Sequence, residues 1–101
     1  MRERWSNGMV VGVATFKIHL PAVGSLKGKR AVLNSVKGRV KSRFNASIAE
    51  VGEMDLWQSA TLGVAVVSND RRHVNSVLEK IRTTVEREDR LTLLDYSIDI
   101  D

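Results

Sequence analysis

Two segments of this chain repeat apolar residues every three to four positions, and each is flanked by segments that repeat them every two. Val32, Leu33, Val36, Val40 and Phe44 form one helical stripe; Val74, Val77, Leu78, Ile81 and Val85 form the other. Each stripe needs an apolar surface to cover it. The strands supply that surface. Val10, Gly12, Ala14, Phe16, Ile18 and Leu20 share one face of a long first strand, with Val11, Val13, Thr15, Lys17 and His19 on the other. Ala60, Leu62, Val64 and Val66 share a face of the strand over 59–67, and Leu94, Tyr96, Ile98 and Ile100 a face of the last. The remaining strand, about 46–51, is mixed in pattern.

Boundaries follow from the turn and cap residues. Pro21 and Gly24 end the first strand, Ser25 opens a helix to about Phe44, and Asn45 stops it. Ser68, Asn69 and Asp70 cap the second helix. The order is strand, helix, strand, strand, helix, strand. An α+β fold of the ferredoxin-like split type satisfies all six elements: a four-stranded antiparallel sheet with both helices on one face. The first and third strands take the centre and the second and fourth the edges. Residues 1–8 lie outside any period and read as a flexible N-terminal extension to a single domain over 9–101.

With no cysteine, the chain has no disulfide framework, Cys-ligated zinc or thiol nucleophile. No apolar run approaches the roughly 18 residues of a membrane span, and the first eight residues lack a signal peptide's apolar stretch, so a cytoplasmic location without membrane partners is expected. The net charge of +4 is unevenly spread: residues 1–49 hold ten Lys and Arg against one acid, and residues 50–101 hold six against eleven. That asymmetry points one face toward an anionic partner.

Much of the positive charge falls on the first helix, where Lys27, Lys29, Arg30, Lys37, Arg39, Lys41 and Arg43 occur with no acid among them. At 100° per residue, Ala31, Ser35, Gly38 and Ser42 lie opposite the apolar stripe as a seam of small residues. Arg30, Asn34, Lys37 and Lys41 line one flank of the seam and Arg39 the other. Like-charge pairs at i,i+4, cations at the helix N-terminus and an exposed Gly38 together cost about 1–2 kcal/mol. The second helix avoids such penalties by pairing Glu79 with Arg82 and Arg82 with Glu86. Lys27, Lys29, Arg30, Asn34, Lys37, Arg39 and Lys41 are therefore the candidate nucleic-acid-binding residues, with phosphate as the ligand. Two other outcomes remain open: plain solvation, or pairing with acids of this chain or of a second copy.

Other signals are weaker. The element order is also that of an RNA recognition motif, but the third strand carries no aromatic residue and Phe16 of the first belongs to the core face, which argues against base stacking on the sheet. Val11, Val13, Thr15, Ala65, Val67 and Leu93 are expected on the open face, where a homodimer could form. His19 and His73 stand in no metal-ligand spacing, and Glu50, Glu53 and Asp55 read as solvated acids, with a magnesium role the lesser alternative. No catalytic residues and no cofactor are expected.

Several runs resemble a known family: His19-Leu20-Pro21 with Ser25-Leu26-Lys27-Gly28-Lys29-Arg30, residues 43–51, Asp55-Leu56-Trp57-Gln58 and Val67-Ser68-Asn69-Asp70. The chain is similar over most of its length to the YlxP-like family of small bacterial proteins of unknown function. Gly28, where a polar residue is expected, is a minor departure. The resemblance implies a ferredoxin-like fold and a genetic neighbourhood of transcription, translation-initiation and ribosome-maturation factors. It thereby raises rRNA or the small ribosomal subunit as a partner, and it brings no catalytic residues.

Overall fold

A computed structural model describes residues 8–101; the segment read as a flexible extension lies outside the described residues except for Gly8. The elements are β1 (Val10–His19), α1 (Leu26–Arg43), β2 (Ser47–Gly52), β3 (Ser59–Ser68), α2 (Arg71–Glu86) and β4 (Thr92–Ile100). They form one sheet in the order β2-β3-β1-β4, with every neighbouring pair antiparallel. This is the ferredoxin-like arrangement that the two stripes require, with β1 and β3 in the middle.

The core is a single cluster. Ala14, Phe16 and Ile18 of β1 and Ala60, Leu62, Val64 and Val66 of β3 meet Val32, Leu33, Val36 and Val40 of α1 and Val74, Leu78, Ile81 and Val85 of α2. Phe16 stacks on its cross-strand partner Tyr96, with ring centroids 5.7 Å apart. At Gly12 the close approach of α2 needs a missing side chain: a Cβ there would stand 2.3 Å from Val74 Cγ1 and 2.9 Å from Leu78 Cδ1. Ser25 caps α1 by accepting from the Gly28 N–H, and Asp70 caps α2 by accepting from the Arg72 and His73 N–H groups.

Two bulges interrupt the ladders, and the one in β4 changes the faces read from alternation. Lys17 pairs with Asp95 but Ile18 with Leu93, so Leu94 is the extra residue in β4. One extra residue reverses which side the chain presents. Leu93 accordingly packs against the core and Leu94 is exposed, the reverse of the assignment from alternation. On the opposite edge Glu50 pairs with Leu62 and Gly52 with Thr61, which leaves Val51 as the extra residue, also exposed.

Candidate nucleic-acid interface

The cations of α1 divide into two groups that composition could not separate. Lys29 belongs to the first. It is 1% exposed, among the fully buried side chains, so its assignment to a nucleic-acid surface is corrected here. Its Nζ lies 2.8 Å from Glu50 Oε2 and donates to the backbone carbonyls of Glu53 (2.7 Å) and Leu56 (2.6 Å). The reason is helical register. Position 29 precedes Val32, Leu33, Val36 and Val40 by three, four, seven and eleven, so it stands on the apolar stripe itself. That spacing was the available signal, and the general run of lysines masked it.

The buried ammonium organises the β2–β3 connection. Glu53 is the one described non-glycine residue with positive φ, at 62°, a backbone state that is costly for a residue with a Cβ. The bond from Lys29 to its carbonyl and the bond from Thr61 Oγ1 to its carboxylate (2.8 Å) hold it there. Gln58 ties the far end of the loop to β1 and the turn that follows it. Its side chain donates to Pro21 O and Val23 O, and its carbonyl accepts from the Leu20 N–H. His19 Nδ1 lies 3.0 Å from that same carbonyl, a hydrogen bond at the end of the strand. Held at both ends, the loop presents Met54, Leu56 and Trp57 to solvent, each more than half exposed. Glu50 is thus a counter-ion under α1 rather than a solvated acid.

Arg39 is the second cation engaged inside the fold. It forms an ion pair with Glu88, a buried carboxylate just beyond the end of α2, which Arg90 also grips through its side chain and its backbone N–H. The Arg90 hydrogen bond, reinforced by Arg39 and opposed by burial, lowers the Glu88 pKa to about 2. Arg39 is therefore tied toward α2 and away from the other candidate cations.

The remaining candidates form the second group. Lys27, Arg30, Asn34, Lys37 and Lys41 have no ion pair and no side-chain hydrogen bond among the described residues, and all but the half-buried Lys37 are exposed. They recur at spacings of three and four and so make one ridge along the flank of α1 opposite Arg39 and Arg43. From Lys27 to Lys41 the ridge is about 21 Å long at 1.5 Å per residue. The small residues Ala31, Gly38 and Ser42 lie beside it, all exposed. A Cβ at Gly38 would meet nothing within 4 Å, so this seam is open to the approach of a second surface.

The ridge can hold a line of anions. Among the described residues no helix is long and apolar enough to cross a membrane, and no three His, Asp or Glu side chains are grouped to hold a metal ion.

Comparison with known proteins agrees on the fold. The uncharacterized protein YlxP of Bacillus subtilis (strain 168) is 36% identical over 77 residues, covering 76% of this chain and 84% of that protein. Among solved structures, a C-terminal segment of the alpha subunit of aIF2 from Pyrococcus abyssi is similar with a TM-score of 0.54 at 18% identity. That likeness covers 85% of this chain, which spans about half (49%) of the other. The de novo designed protein Foldit4 is similar with a TM-score of 0.52 at 12% identity, covering 92% of this chain and 93% of its own. At such identities the structural likenesses show the fold alone. The family model described as protein of unknown function, DUF503, matches residues 11–98, and with the relationship to YlxP it shows that this chain belongs to the DUF503 family.

Proposed function

We propose that this protein is a non-catalytic RNA-associated accessory factor whose α1 ridge binds the phosphate backbone of rRNA or of the small ribosomal subunit. One observation carries the reading. Lys27, Arg30, Lys37 and Lys41 have no partner among the described residues, whereas Lys29 and Arg39, from the same helix, are ion-paired with Glu50 and Glu88. Acids of the fold have taken these two cations and left a ridge of one sign. A continuous row of unpaired cations is what a polyanion binds, because contact releases its condensed counterions.

Four phosphate contacts imply a slope of log K against log salt of about −3 for a single strand and about −3.6 for a duplex, or roughly a 50- to 150-fold loss of affinity between 50 and 200 mM salt. The test is binding of ribosomal subunits and of isolated rRNA to the parent protein and to the variant R30E/K37E/K41E. None of the three side chains has a structural partner, so the variant is expected to melt as the parent does while losing binding. Equal binding by the folded variant, or binding indifferent to salt, refutes the reading.

A specific observation favours a second reading, a module that docks a partner through the open sheet face. Val13 and Val67 stand 44% and 57% exposed on the face away from the helices. Sedimentation velocity at tens of micromolar decides it: a strict monomer counts against a homodimer.

A further inference from the structure

At the end of the sheet where α1 stops and α2 begins, the fold leaves a cleft of about 480 Å³. Arg43 enters from the last turn of α1, and His73 and Lys80 enter from α2, where they share a face with Val77. Asn45 and Ser68 add hydrogen-bonding groups from the loop after α1 and the end of β3. Among the described residues no acid lines the cleft. The side chains of Arg43, His73 and Lys80 have no ion pair or hydrogen bond among the described residues. Asp70, three residues before His73, is engaged in capping the N–H groups of Arg72 and His73. Arg71 and Arg72 in the first turn of α2 add further unpaired positive charge at this end of the molecule.

We infer that this cleft is a binding site for a small phosphate monoester with an apolar or planar body, of mononucleotide size. Arg43 and Lys80 supply two fixed positive charges, which match the roughly −2 charge of a phosphate monoester. Phe44, Val66 and Val77 make an apolar wall, and the volume lies within the range of small-ligand pockets. Cations and apolar side chains lining one cleft select a phosphate carried on an organic body in preference to the free ion.

The site is distinct from the α1 ridge. Arg43 is turned about 160° around the helix from Lys41, on the side facing α2. The inference therefore stands or falls independently of RNA binding.

The test is calorimetric titration of the full chain with adenosine 5′-monophosphate, adenosine and inorganic phosphate at low salt. Adenosine monophosphate is expected to bind at least tenfold more tightly than either fragment. The variant R43A/K80A, whose two side chains hold nothing in the fold, should lose at least tenfold in that affinity, with R30A/K37A unchanged. No detectable binding at millimolar ligand overturns the proposal, and so does equal binding by R43A/K80A. Binding of inorganic phosphate as tight as that of the monophosphate also overturns it. Loss of monophosphate binding in R30A/K37A would assign the effect to general charge and not to the cleft.

Discussion

Replacing Lys29 by Met tests whether this buried cation, 1% exposed, is structural. The methionine keeps the stem that fills the stripe and removes the ammonium. Three groups then lose their partner: the Glu50 carboxylate and the carbonyls of Glu53 and Leu56. Breaking a buried ion pair from one side costs about 3–5 kcal/mol. Glu50 retains 10% exposure, and the two carbonyls sit in a surface loop that can turn toward water, which places the cost at the lower end, about 3 kcal/mol. With an unfolding entropy of about 2 cal/mol/K per residue, a chain of 101 residues should lose roughly 14 °C in melting temperature. The double variant K29M/E50L also removes the stranded carboxylate and should recover about 1–2 kcal/mol of that loss. Urea and thermal unfolding followed by circular dichroism measure both variants. Hydrogen exchange should show the loss concentrated at the Leu56 amide, which donates to Glu53 O across the held turn. A K29M protein melting within about 3 °C of the parent would refute the reasoning, since its cost would then fall well below a broken buried pair. Labelling of Lys29 by an amine reagent as fast as Lys37 or Lys41 in the folded protein would refute it as well.

Glu88 carries a pH signature. Its carboxylate is held at about 2 in the folded state, so the stability it contributes is complete above about pH 4.5 and is lost as pH falls toward 2. Discounted for the solvent around Arg39 and Arg90, the contribution is on the order of 2 kcal/mol, and E88Q should remove that part of the acid limb in urea titrations between pH 5 and pH 2. Tyr96 should ionise above the usual phenol range, because burial and its hydrogen bond to Glu79 both oppose the phenolate; ultraviolet titration of E79A should show it moving back down. Gly12→Ala should cost about 1–3 kcal/mol in chemical denaturation, since its new methyl overlaps Val74 and Leu78. Gly38→Ala adds a methyl to open space within a helix and should stabilise by about 0.5–1 kcal/mol in the same assay.

The same chemical type served opposite ends on α1, and only register and neighbours told them apart. Lys29 and Lys37 are both lysines within a basic run, yet one is a buried clamp and the other an exposed rung. The stripe spacing from Lys29 to Val40 was present in the sequence, but it does not name the counter-ion. Glu50 lies twenty-one residues away, on a strand whose mixed pattern gave no reason to choose it. Arg39 and Glu88 lie still farther apart, and the charged turn after α2 reads as solvent-facing until Arg90 and Arg39 are seen to converge on one carboxylate. The cleft between Arg43 and Lys80 was hidden for a related reason. Each residue is an ordinary surface cation on its own helix, and only the packing of α1 beside α2 brings them to one opening.

The sequence by itself determined the six elements, their order, both helix caps, the inward faces of β1, β3 and the helices, and hence the ferredoxin-like arrangement. Those features follow from periodicity and from local backbone chemistry, which act over a few residues. The tertiary structure alone decided where the ladders slip at Val51 and Leu94, which acids neutralise which cations, and which cations are left as a ridge. Bulges and ion pairs depend on what the facing strand or helix presents, and a single chain read along its length does not contain that distance.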